Sequence, residues 1–189
     1  LTVTGASSFT DSASGGTIAL TNVSNALTGA VTLSTHGASS DASLKNSVSG
    51  TGTVLAASTV GGNLTVTGLD TFGITETGVL TVAGTSSFTD TAANAKIDLS
   101  TSTNALTGAV TLNNSGANAV SVSNGANALT IGNGTSVGST LTLTSGALSF
   151  GTTTVGTNLS ATTSGAISQT GALTVTGTTT LVAGAANNI

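Results

Sequence analysis

Asp70 and Asp90 stand 20 residues apart, and if the backbone coils with about that period they are stacked carboxylates. Two carboxyls held roughly 5 to 9 Å apart can hydrolyse a glycosidic bond, one as acid and the other as base or nucleophile. The surroundings weigh against it: the chain has no Arg, Trp or Tyr to grip a sugar, and no insertion long enough to wall a cleft. His36, in Ser34-Thr35-His36-Gly37, is the sole imidazole. A metal wants several convergent ligands and a triad wants a partner acid; neither lies nearby in sequence, so His36 reads as a solvated turn residue.

The other polar groups have equally plain readings. Asp11 and Asp90 occupy equivalent places after Ser-Phe-Thr, where an Asp caps a turn through its own backbone. The Gly-Gly-x-Gly-x-Asp nonapeptide of calcium-binding β-rolls is absent. Lys96-Ile97-Asp98 reads as two outward charges flanking an inward aliphatic, with a weak surface ion pair. Thr-x-Thr pairs at 2/4, 65/67, 75/77, 142/144 and 174/176 are the units of a flat hydroxyl array like those of ice-binding solenoids. Their uneven spacing, 63 residues and then 10, predicts that no single face is uniformly covered. No residue set is expected to hold a metal or cofactor, and none to perform catalysis.

What must position these residues is set by an unusual composition. Only 4% of the 189 residues are charged and the formal net charge is −4, with 38% hydrophobic residues, 26 Gly, and no Pro, Cys, Met, Trp or Tyr. Disorder needs low hydrophobicity and high net charge, so the chain is expected to fold. Nucleic-acid binding needs Lys and Arg against phosphate, which two lysines do not supply. No apolar run reaches the ~20 residues of a membrane helix, and the aromatic girdles of an outer-membrane barrel are missing. The chain opens at Leu1 without Met, a basic leader or a cleavage site, and reads as an internal segment of something longer.

Self-similarity is strong. LTVTGASSFTD at 1–11 returns as LTVAGTSSFTD at 80–90, and NALTGAVTL at 25–33 returns unchanged at 104–112, both at an offset of 79. The long repeat thus runs 1–79 and 80–158, with a partial copy from 173, within one continuous body spanning 1–189. Beneath it, aliphatic clusters recur about every 8 to 12 residues. Within a cluster, aliphatic and Thr alternate strictly, as in Leu141-Thr142-Leu143-Thr144, which places one type on each face of a strand.

This pattern predicts an all-β parallel β-helix, or β-solenoid, of about 20 residues per coil. Two strand clusters per coil and four coils per 79-residue offset would give nine or ten coils and a rod of about 45 Å. A sandwich is disfavoured by the lack of Pro, Trp and Tyr. In a solenoid, equivalent side chains stack in ladders: Thr, Ser, Asn and aliphatic ladders are tolerated, whereas like charges repel. Phe9 and Phe88 are then expected to recur as a buried aromatic every four coils, with Phe72 and Phe150 joining such stacks.

The words LTVTG…SSFTD, NALTGAVTL and ISQTGALTVTGTTTLVAGAANNI at 167–189 resemble the repeats of filamentous-haemagglutinin-type large exoproteins, secreted adhesins of Gram-negative bacteria exported by two-partner secretion. The resemblance implies a right-handed parallel β-helix shaft, an extracellular or cell-surface location, and no catalytic residues to carry over. The expected function is structural and adhesive, a stiff shaft or filament at the bacterial surface or in biofilm matrix. Its expected partners are other copies of itself, lateral or end to end, and host or neighbouring-cell receptors or polysaccharide. The alternatives are an ice-binding solenoid, a phage tail-fibre shaft and a polysaccharide-degrading β-helix enzyme.

Overall fold

Runs such as Leu64-Thr65-Val66-Thr67 cannot form helices with one apolar stripe, because their period is two; they form strands with aliphatic inside and hydroxyl outside. The computed structural model describes residues 1–189 as 25 strands and no helix. Every strand pairing is parallel, and the chain winds as a β-solenoid of about eight turns.

Each turn has three strands, not the two expected. One turn runs Thr53–Leu55, Ser58–Val60, Leu64–Gly68, and the next runs Ile74–Glu76, Leu80–Val82, Ser86–Ala93. The short strands were hidden because two or three residues of Ala, Val or Leu carry too little alternation to separate them from turns. Register gives the turn length directly. Thr2 pairs with Ala26, a turn of 24 residues; Ile74 pairs with Ile97, a turn of 23; Leu141 pairs with Leu159, a turn of 18. Eight turns at the inter-strand spacing make a rod of about 38 Å, shorter than the sequence expectation.

The 79-residue offset therefore spans three turns and one further strand. Ser7–Ser14 lies beside Val31–His36, which pairs through Ser34 with Ser58–Val60 and onward to Leu80–Val82. Its repeat, Ser86–Ala93, lies on the adjacent face, between Leu64–Gly68 and Ala109–Ser115. Each copy of the repeat is rotated by one face relative to the last, because 79 residues exceed three turns of about 23 by one strand and its bend.

The rotation breaks the expected phenylalanine stacks. Phe88 is fully buried in a ladder Leu20–Leu44–Val66–Phe88–Leu112, whereas Phe9 is half-buried opposite Leu33. Phe150 is buried between Ile131 and Gln169, and Phe72 is exposed. The interior holds 32 buried apolar residues in one continuous column. Glycine is required where turns touch: Gly73 has φ +85°, and a Cβ there would strike the Lys96 carbonyl.

Candidate functional site

Outward-facing residues form hydroxyl columns along the rod. On one face, Ser43–Thr65–Ser87–Thr111 run in register, beside a second column Lys45–Thr67–Thr89–Asn113–Ser136–Thr154–Thr174. On another, Ser121–Thr142–Ser160–Thr180 run beside Ser123–Thr144–Thr162. Neighbours within a column are about 4.8 Å apart and paired columns about 6.7 Å apart. Coverage is uneven, as expected: Lys45 and Asn113 interrupt the first face, and on the second Asp98 lies beside Ser121 and Val182 beside Thr162. An open depression of about 400 Å³ on this surface is lined by Gly125, Ala126, Thr144, Ser145 and Thr162–Ser164, without a charged group.

Polar side chains inside the coil serve the corners. Asn25, Asn46, Asn104, Asn114 and Asn124 are buried. Asn46 accepts from the Leu27 N–H at 2.9 Å and donates to the Leu27 carbonyl at 3.0 Å. Asn124 does the same for Leu106, at 2.8 and 3.2 Å. A bend interrupts the backbone ladder, and a carboxamide, with both a donor and an acceptor, replaces the missing strand. For Asn25 and Asn104 the signal was the recurring Asn-Ala-Leu at 25–27 and 104–106, where the Asn precedes a two-residue strand; Asn46 and Asn124 stand outside that motif.

Two carboxylates are also inside. Glu76 occupies an inward position opposite Leu55 and is 2% exposed. Its Oε1 accepts from the Ser102 N–H at 2.9 Å and Asn104 Nδ2 at 3.1 Å, while Oε2 has no partner. Burial raises its pKa; the Ser102 and Asn104 hydrogen bonds oppose this, and Asp98 adds to it. Asp90 pairs with Gly68 in the turn below and is likewise 2% exposed. Burial pushes its carboxyl up to about 6, the Ala92 hydrogen bond opposing and the charge of Asp70 adding. Asp90 fits only because its partner is glycine: a Cβ on residue 68 would strike Asp90 Oδ2.

An acid whose folded pKa lies above its unfolded value stabilises the fold below the unfolded pKa, and loses that contribution as pH rises to the folded one. Glu76→Gln is therefore expected to raise the melting temperature at pH 7.5 and leave it nearly unchanged at pH 4, read by circular dichroism. A lower melting temperature at both pH values would show that the carboxylate is a needed acceptor.

The other expectations fall into place residue by residue. Asp11 and Asp90 each accept an N–H two residues on, from Ala13 at 2.9 Å and Ala92 at 3.0 Å, the expected turn role. Asp70 does so from Phe72 at 2.8 Å. Asp70 and Asp90 lie on adjacent turns, near enough for the charge of Asp70 to act on Asp90, and the Oδ2 atom of each is closed off from solvent. His36 is exposed at the end of its strand, and its carbonyl accepts from the Ser40 hydroxyl. Lys96 and Asp98 form the weak surface pair, at 3.8 Å, flanking buried Ile97.

The family model described as repeats of unknown function (DUF5649) matches residues 1–34, 40–113 and 138–189. The chain belongs to the DUF5649 family. The first two matched spans contain both copies of the LTVTG…SSFTD and NALTGAVTL segments. No curated protein and no solved structure matches the chain. No helix is long and apolar enough to cross a membrane.

Proposed function

We propose that this DUF5649 chain is a non-enzymatic shaft segment of an extracellular or cell-surface structural and adhesive protein. The observation that carries this reading is the set of in-register hydroxyl columns on a rod of continuous parallel ladders. Such a surface offers a regular hydrogen-bonding lattice with almost no charge to repel a second copy or a neutral polysaccharide. The repeat lengthens the rod by duplication, each added turn contacting only its neighbours. The resemblance to filamentous-haemagglutinin-type exoproteins supports the location at a bacterial surface or in biofilm matrix.

Beads coated with the purified chain are expected to adhere to one another or to surface polysaccharide. Thr142→Lys, Thr144→Lys and Thr162→Lys together should bring adhesion down to the level of bare beads with the melting temperature little changed. Coated beads that stay dispersed and bind no polysaccharide, with the chain folded, would sink the proposal.

The paired columns also favour a second reading, ice binding, since two parallel rows at fixed spacing can order a water lattice. Thermal hysteresis of the purified chain, lost on Thr65→Lys with Thr67→Lys, is its test; no hysteresis removes it.

A further inference from the structure

One turn of the rod occurs twice in the sequence, once covered and once bare. Residues 167–189 repeat residues 74–96, identical at 11 of 23 positions. Inside the rod, residues 74–96 are covered by residues 97–115: Ile97 lies on Ile74, Ala105 on Thr81 and Leu112 on Phe88. That cover also has a copy, residues 18–36, identical at 11 of 19 positions. Residues 18–36 lie on residues 1–17, with Ala26 on Thr2 and Leu33 on Phe9. Residues 1–5 and 173–177 are both Leu-Thr-Val-Thr-Gly, so 1–17 and 173–189 are alternative supports for the same cover.

Residues 167–189 carry no strand above them. Ile167–Gln169, Leu173–Val175 and Thr179–Val182 each pair with one strand, in the turn below. Between them the interior column opens in a cavity of about 80 Å³ whose apolar lining is Phe150, Ile167, Leu173, Leu181 and Ile189. Gln169 is exposed, whereas Glu76, at the matching place, is sealed by the Ser102 N–H and Asn104. Ile18–Leu20 is the opposite edge of the sheet that Ile167–Gln169 ends, paired with Ala42–Asn46 and with no strand on its other side. Val31–His36 and Thr179–Val182 share the other large sheet. Setting residues 18–36 of one chain on residues 167–189 of another therefore keeps each sheet on its own face of the rod.

We propose that two copies of this chain join head to tail by exchanging one strip: residues 173–189 of one replace residues 1–17 beneath residues 18–36 of the next, and Ile167–Gln169 pairs with Ile18–Leu20. The register is the one already present inside the chain, Ile18 on Ile167, Ala26 on Thr174 and Leu33 on Leu181. Ile18, Leu20, Leu27 and Leu33 then close the apolar cavity. Asn25 meets the Leu173 N–H and Gln169 as Asn104 meets the Leu80 N–H and Glu76. The displaced residues 1–17 swing out at Gly15-Gly16 and take Asp11 with them, Ala183 standing in its place. Pairing lost under Val31–His36 is replaced in kind, and pairing under Ile18–Leu20 is gained, which is why exchange of equivalent segments costs little. The contact is heterologous and does not close, so it builds filaments. It makes no use of the hydroxyl columns and holds whether or not the rod is adhesive.

The chain has no cysteine, so a disulfide can report the register. Ala19 and Ser168 are exposed and would stand opposite each other as Asp98 and Thr75 do. Ala19→Cys and Ser168→Cys chains mixed under mild oxidation are expected to give the mixed disulfide about ten-fold over either homodimer, since only that pair is brought within bonding distance. Homodimers in equal amount, or no disulfide from folded chains, would overturn the exchange. Phe9→Asp in the Ala19→Cys chain weakens the resident strip and should raise the mixed yield, whereas Leu181→Asp in the Ser168→Cys chain should abolish it. A yield lowered by Phe9→Asp would mean that residues 1–17 stay in place, which also refutes the exchange. Should the cysteine chains misfold, sedimentation of the unaltered chain decides. Rods that lengthen from micromolar to millimolar concentration are expected, and a monomer throughout would sink the proposal. Adding Thr142→Lys, Thr144→Lys and Thr162→Lys should leave the mixed disulfide unchanged, so the joint and the adhesive surface fail separately.

Discussion

Phe88→Ala is expected to cost about 3–5 kcal/mol, the usual range for truncating a fully buried aromatic, and to lower the melting temperature by roughly 10 °C for a chain of this size. Phe88 has no exposure and sits between Val66 below and Leu112 above. Backbone ladders hold the turns at fixed spacing, so neither neighbour can move in to close the void. Because the repeat rotates by one face, Phe9 stands in a different ladder and cannot compensate. Phe9→Ala should cost less than half as much, since Phe9 is half-buried in the first turn. A solenoid conducts stability only between neighbouring turns, so Phe88→Ala should also broaden the urea transition by uncoupling the turns on either side. Equal losses for the two substitutions would mean that Phe88 is not the better packed.

Asn104→Ala is expected to cost about 3–5 kcal/mol, and more at pH 7.5 than at pH 4.5. The Asn104 Oδ1 accepts from the Leu80 N–H at 2.8 Å, and Nδ2 donates to Glu76 Oε1 and the Leu99 carbonyl, each at 3.1 Å. Truncation orphans a buried N–H, a carbonyl and one side of a carboxylate, each neutral group worth about 1–3 kcal/mol and a charged one more. The pH dependence follows from sign. Asn104 donates to the ionised form of Glu76 and so holds its pKa down; without it the pKa climbs further, and the folded state loses more as pH rises from the ordinary carboxylate range. Melting curves at the two pH values check both parts, and a pH-independent loss would break the link to Glu76.

The strand type, the parallel coil and the reason for the missing charge could be read from Leu-Thr-Val-Thr alternation alone, because a period of two and a ladder geometry leave few alternatives. The number of strands per turn could not. Ala26–Leu27 and Ala105–Leu106 are strands only because a corner Asn completes their hydrogen bonding, a cooperation between residues about 20 apart. The offset of 79 fits four turns of 20 as well as three and a third turns of 24, and pairing register alone separates them. Asp11 and Asp90 are indistinguishable in their repeats, yet one is half-buried and the other sealed. What differs is the neighbour below: Asp90 has Gly68 there, whereas Asp11 lies in the first turn described.

The mismatch between repeat and turn also has a mechanical side. A rod whose equivalent segments all lay on one flank would carry its stiff and soft strips lengthwise and would bend toward the soft one. Stepping each copy around by a third of the circumference turns those strips into a screw thread that closes after three copies, ten turns or about 48 Å. An array extended by this rule has no preferred bending plane, and a flat surface approaching from any side meets the same thread within one pitch.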